Sequence, residues 1–129
     1  MMTDMLKGRT IVISGGTKGV GRILVKECAR QGANVVFGGR DEPAASAVLA
    51  ELNGAGFFVH TELRNVADCG RLFDAAMDKH GRVDGFVNYA GVTSVASMES
   101  CSEETFDGIF DVNIKAAFFC VQQAIRCMK

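Results

Sequence analysis

Charge of one sign is missing from this sequence. Fourteen lysines and arginines stand against fifteen aspartates and glutamates, a formal net charge of -1. So balanced a surface does not recruit a nucleic-acid backbone or an anionic membrane by charge. No apolar run approaches the roughly 20 residues needed to span a bilayer, so neither nucleic acid nor membrane is an expected partner. Met1 to Met5 lack the basic-then-apolar pattern of a secretory leader, and the cytoplasm is the expected compartment. No Cys-x-x-Cys pair occurs among Cys28, Cys69, Cys101, Cys120 and Cys127. An odd number of cysteines fits a closed disulfide framework poorly, and His60 and His80 do not join them at metal-ligand spacing. Reduced, structural thiols and no metal are expected. Internal repeats, low-complexity tracts and Pro/Ser-rich linkers are absent too. With 48% hydrophobic residues over 129 positions, the chain reads as one globular domain over residues 1–129.

What is present is an alternation. Thr10 to Ser14 is a short apolar run ending in a glycine cluster, the pattern of a buried parallel strand. Val20 to Arg30 has helical periodicity, with Val20, Ile23, Leu24 and Cys28 as its apolar stripe and Gly32 placed to end it. Ala33 to Phe37 is a second strand. Asp41 is placed to cap a helix that carries Pro43 in its first turn and runs to about Asn53. Phe57 to Thr61 is a third strand. A helix from about Ala67 to His80 presents Leu72, Phe73, Ala76 and Met77. Val83 to Tyr89 is a fourth strand. Ser100 and Glu103 have capping-box spacing ahead of a helical stretch that continues to the C-terminus. Its last part, Ile114 to Met128, is apolar around most of its circumference and needs cover that four strands do not offer. Strands alternating with helices, without hairpin turns, predict an α/β parallel sheet with helices on both faces.

The glycine cluster lies between the first strand and the first helix, as Ser14-Gly15-Gly16-Thr17-Lys18-Gly19-Val20-Gly21. Glycine lets backbone approach a ligand closely, and the helix that follows offers free N–H groups and a positive dipole end. That combination suits a pyrophosphate; the alternative is a glycine-rich turn without a ligand. A P-loop is excluded, because Arg22 and Ile23 follow Gly21 where Lys and a metal-binding hydroxyl belong. The spacing G-x-x-x-G-x-G is also not the dinucleotide fingerprint G-x-G-x-x-G.

That spacing resembles the TGxxxGxG cofactor motif of the short-chain dehydrogenase/reductase family, with Ser14 in place of Thr. Asn88-Tyr89-Ala90-Gly91 resembles the family's NNAG, with Tyr89 replacing the second Asn. Glu62-Leu63 stands where the family has Asp-Val, before a Gly-x-x-Asp turn at Gly81. Asp111-Val112-Asn113-Ile114 resembles the helical segment that bears a catalytic Asn. The resemblance spans the whole chain and implies a Rossmann-like, doubly wound parallel sheet of about four strands, incomplete relative to the family. It implies a dinucleotide site from Ser14, Gly15, Thr17, Lys18, Gly19, Val20, Gly21, Arg40, Glu62, Leu63, Asn88, Ala90 and Gly91. Glu62 and Leu63 would meet the adenine, and Asn113 would hold a water in a proton relay. Read without the resemblance, Asn88 caps a strand and Asn113 bonds its own helix backbone.

The end of the second strand bears on the cofactor. An acidic residue there repels a 2′-phosphate, and a nearby Arg accommodates it. Here Gly39 takes the acidic position, Arg40 follows, and Lys18 is a second cation. NADP is expected; NAD is the alternative if Asp41 reaches the ribose, and Arg40 is then a solvated residue. The family moves a hydride between nicotinamide and a carbonyl or alcohol, using a Ser and a Tyr-x-x-x-Lys. Free Tyr titrates near 10, so neutral-pH acid/base work needs a neighbouring cation. The lone tyrosine, Tyr89, has Thr93 four residues on, so the chain is expected to be truncated before that pair. Two readings stand: the cofactor half of an oxidoreductase completed by a homo-oligomer or a C-terminal segment, and a noncatalytic nucleotide- or partner-binding module. S-adenosylmethionine is a third ligand, but it leaves Arg40 and Lys18 without a purpose.

Overall fold

The computed structural model describes residues 4–129; Met1 to Thr3, part of the segment read for a leader, lie outside them. Four strands, β1 (Thr10–Ser14), β2 (Asn34–Gly39), β3 (Gly56–His60) and β4 (Gly85–Asn88), form one parallel sheet in the order β3-β2-β1-β4. Helices α1 (Gly19–Arg30) and α2 (Glu42–Ala50) cover one face, over Ile11, Ile13, Val35 and Phe37. Helices α3 (Val66–His80) and α5 (Ala117–Met128) cover the other, over Val12, Val36 and Val59. The alternation of β1 and β2 side chains between two apolar layers is why these strands read as unbroken apolar runs. The sheet is doubly wound, as expected.

Asp84 aligns β4 with β1. Its carboxylate accepts the Thr10 N–H at 2.8 Å and the Arg82 guanidinium at 2.8 and 2.6 Å. Arg82 before all, with the Thr10 amide helping, holds this carboxyl down at about 2.

Several elements differ from their sequence reading. β4 begins at Gly85, two residues later than its apolar pattern, because Asp84 is used as the lock. α2 ends at Ala50, and residues 51–54 form turns. In α1 the inward residues are Gly21 and Val25, with Leu24 and Cys28 half-buried beside them; Val20 and Ile23 are exposed. Gly21 is the point where the helix touches the glycine loop, and that contact rotates the apolar stripe. Met77 on α3 is 36% exposed, while Cys69 joins Leu72, Phe73 and Ala76 in the core.

The C-terminal stretch is not one α-helix. α4 (Glu103–Phe110) passes into a π-helical segment (Asp111–Ala116) before α5. Its cap is Ser102, not Ser100: the Ser102 hydroxyl accepts the Thr105 N–H at 3.0 Å, whereas Ser100 is held in a turn by Ser97. Small or short residues at four-residue intervals, Val112, Ala116, Cys120 and Ala124, form the buried stripe. The bulkier Ile114, Phe118, Val121 and Ile125 point outward and remain exposed, together with Phe106 and Phe110 of α4. The expectation that this segment lacks cover is met. All five cysteines are free. Cys69 and Cys120 are both buried, and a hydrogen bond between their thiols, with burial, drives the Cys120 thiol far above its ordinary range. A thiol so protonated is a packing group, not a nucleophile.

Candidate nucleotide site at the C-terminal ends of the strands

Parallel strands all end on one side, and loops leaving those ends converge there. A cavity of about 1310 Å³ opens at this place, lined by the loops after β1, β2, β3 and β4 and by Val112 and Asn113. It exceeds the usual range of small-ligand pockets, roughly 300–1,000 Å³, so an extended ligand can be accommodated.

The glycine loop forms one wall. Gly15 has φ +74°, and a β-carbon there would lie 2.8 Å from the Ala90 backbone. Gly21 has a different constraint: its missing β-carbon would fall 2.0 Å from the Gly15 carbonyl oxygen. The loop and the start of α1 can therefore close on each other only without side chains. Ser14 ties the loop to β4, donating to Asn88 Oδ1 at 3.3 Å and accepting the Ala90 N–H at 3.2 Å.

The helix behind the loop is left open at its N-terminus. Asp41 caps α2, Asn65 caps α3 and Ser102 caps α4, each accepting a backbone N–H, and each of these helices has an acidic residue in its first turn. At α1 the capping position is Lys18, whose side chain makes no capping hydrogen bond, and no acidic residue follows in the first turn. Its first N–H groups and dipole end are offered to something other than a protein side chain.

Charge is concentrated at the β2 end. Gly39 has no room for a side chain, since a β-carbon would meet Thr17 Cγ2 at 2.7 Å. Beyond it Arg40 pairs with Glu62 at 3.5 Å, and Lys18 pairs with Asp41 at 3.6 Å. Glu62 is pinned by its own N–H, which donates to Asp68 Oδ2 at 2.7 Å. That bond, ahead of Arg71, lowers the Asp68 carboxyl below its ordinary value.

On the opposite wall the Asn113 side chain is engaged at both its oxygen and its nitrogen. Its Oδ1 accepts the Val92 N–H at 2.8 Å and its Nδ2 donates to the Val92 carbonyl at 2.7 Å. The partner is the loop after β4, not the helix backbone. The Tyr89 ring lies over the start of α1, with Cδ1 2.8 Å from where a Gly21 β-carbon would be.

The sequence pattern described as short chain dehydrogenase matches residues 9–129. The chain belongs to the short-chain dehydrogenase family. It is 34% identical to an L-rhamnose 1-dehydrogenase (NAD(P)(+)) of Azotobacter vinelandii, over 97% of this chain and 52% of that one. It is 31% identical to an NADP-dependent (R)-specific alcohol dehydrogenase of Lentilactobacillus kefiri, over 99% of this chain and 52% of that one. A solved short-chain dehydrogenase/reductase from Serratia marcescens superposes with TM-score 0.92 at 27% identity, covering 96% of this chain and 52% of that one. The chain spans about half the length of the relatives it matches.

Within this short-chain dehydrogenase fold, the cavity brings together Gly15, Thr17, Lys18, Arg40, Glu62, Leu63, Ala90, Gly91 and Asn113 from the sequence-predicted set. Ser14, Gly19, Val20, Gly21 and Asn88 do not line it. Ser14 and Asn88 brace the sheet end, and Gly19 to Gly21 form the helix start behind Tyr89. Sequence reasoning missed His60, Thr61, Arg64, Val92 and Thr93, which also line the cavity. His60 and Thr61 were open to discovery, since they end a parallel strand; the loop residues Val92 and Thr93 carried no signal. Among the described residues no group of His, Cys, Asp or Glu is placed to hold a metal ion. No helix among them is long and apolar enough to cross a membrane.

Proposed function

We propose that this chain is the NADP-preferring, cofactor-binding half of a cytoplasmic oxidoreductase acting on a small carbonyl or alcohol. The observation that carries the reading is the uncapped start of α1 behind a loop packed close through Gly15 and Gly21, at the edge of a large cavity also lined by Lys18, Arg40 and Arg64. A phosphate takes backbone N–H groups that no carboxylate or hydroxyl of the protein uses. NADP would supply the hydride chemistry when bound.

The chain's own residues bind and orient. Gly19 and Val20, at the helix start behind Tyr89, would present N–H groups to the pyrophosphate once that ring turns aside, with Gly15 and Ala90 allowing the backbone to come close. Glu62 and Leu63 border the adenine. Lys18 and Arg40 favour a 2′-phosphate, since their present partners are exposed ion pairs worth about 0–1 kcal/mol and a charge-assisted phosphate contact is stronger. Asn113 is a positioning residue: by holding Val92 at both backbone groups it shapes the loop beside the reacting end.

The acid/base pair is not among residues 1–129. Completion by a further segment of the same polypeptide or by another subunit is part of the proposal. A noncatalytic nucleotide-binding role is the second reading, favoured by the lack of a Tyr-x-x-x-Lys.

Calorimetric titration with NADPH and NADH at moderate salt tests the cofactor reading. Both should saturate, NADPH the more tightly, and Arg40→Ala with Lys18→Ala should bring the two affinities together. Equal affinities in the wild type would overturn the NADP assignment, and no saturable binding of either would overturn the nucleotide site. Steady NADPH oxidation by the purified 129-residue chain with a carbonyl substrate would refute its dependence on outside residues.

A further inference from the structure

The β2–β3 end of the cavity is lined by three cations and three carboxylates, Lys18, Arg40 and Arg64 with Asp41, Glu42 and Glu62, among which Lys18 pairs with Asp41 and Arg40 with Glu62. Their formal charges cancel. The two paired carboxylates are not equivalent. Asp41 also caps α2, its Oδ1 accepting the Ala44 N–H at 3.0 Å. Glu62 has its main chain fixed by Asp68, while its side chain extends to the Arg64 N–H at 3.3 Å and to Arg40 at 3.5 Å. No helix end depends on its carboxylate.

We propose that Glu62 sets how strongly this site prefers a 2′-phosphorylated adenosine, by holding the Arg40 guanidinium that the phosphate needs. The proposal rests on the nucleotide reading above and assigns Glu62 a part in specificity beyond bordering the adenine. A 2′-phosphate and the Glu62 carboxylate compete for one planar guanidinium, which binds either by charge-assisted hydrogen bonds. The displaced carboxylate then remains beside a dianion and repels it. Both effects act on the added phosphate, so they change the ratio of affinities for two ligands that share an adenosine. An aspartate, one methylene shorter, holds Arg40 less well but keeps its charge.

The test uses adenosine 2′,5′-bisphosphate and 5′-AMP, which differ only in the 2′-phosphate. Their dissociation constants are measured by calorimetry at fixed salt for the wild type, Glu62→Gln, Arg40→Ala and the double variant. Glu62→Gln should raise the preference for the bisphosphate by about two- to fivefold, the range an ion pair of this exposure can supply. In the Arg40→Ala background the same change should have less than half that effect, since the coupled partner is gone. An unchanged ratio in Glu62→Gln overturns the proposal. So does an equal effect with and without Arg40, which would make Glu62 a repelling charge and nothing more. A wild type that binds neither ligand removes the nucleotide reading, and the proposal with it; binding of both ligands with an unresponsive ratio removes the proposal alone.

Discussion

A β-carbon on residue 21 would sit 2.0 Å from the Gly15 carbonyl oxygen and 2.8 Å from the Tyr89 ring. Nothing there can yield without moving backbone. Gly21→Ala should therefore destabilise the fold by about 2–4 kcal/mol and weaken ADP binding at the same time. Gly70, in the middle of α3, is the control, since an added β-carbon there meets no atom within 4 Å. Gly70→Ala should stabilise by about 0.5–1 kcal/mol, the helix-propensity difference. Urea unfolding of both variants checks the pair; shifts of the same sign would refute the packing argument. Asp84 gives a pH-dependent expectation. Its folded pKa is depressed to about 2 by Arg82 and the Thr10 amide. A depressed carboxylate contributes stability above its unfolded pKa of about 3.9, and loses it as pH falls through the folded value. The stability gap between wild type and Asp84→Asn should be widest above pH 4 and close toward pH 2. Thermal melts across that window measure it, and a constant gap would contradict the assignment.

At the scale of elements, the π segment Asp111–Ala116 determines where Asn113 points. Extra residues in a helical turn re-aim a side chain, and such turns gather at functional sites. Two hydrogen bonds to Val92 are at stake, each worth about 0.5–1.5 kcal/mol net. Asn113→Ala should cost about 1–3 kcal/mol and speed hydrogen exchange at the Val92 amide. Asn113→Asp keeps the acceptor and loses the donor, so it should fall between. If Val92 exchanged no faster in Asn113→Ala, the bracing role would be wrong.

For the whole molecule, two apolar layers on the two faces of the sheet make a sound core, but the far side of α4 and α5 is bare. Phe106, Ile114, Phe118 and Ile125 are 50%, 59%, 63% and 52% exposed. Exposed apolar side chains in this number favour association. The 129-residue chain in isolation should sediment as more than a monomer at micromolar concentration. Phe118→Glu with Ile125→Glu should make it monomeric at nearly unchanged melting temperature, since neither side chain is in the core. A wild-type chain that stays monomeric would show that this face is tolerated in water.

The order of elements, the two-sided sheet and the glycine loop were legible in the residues, because apolar period and glycine placement act locally and do not depend on distant partners. The Ser14-Gly15 signature was legible for the same reason, since a strand end is followed there by a helix start; Asn88 to Gly91 was legible only through its resemblance to a family motif. Tertiary structure alone decided the rest. Which side of α1 turns inward depends on Gly21 meeting Gly15 across the loop. The capping serine was chosen between Ser100 and Ser102 by a turn with Ser97. Whether Arg40 stands free or held was settled by Glu62, which reaches it from the loop after β3. Spacing along a chain cannot state such distances, since they arise only when separate strands are laid side by side.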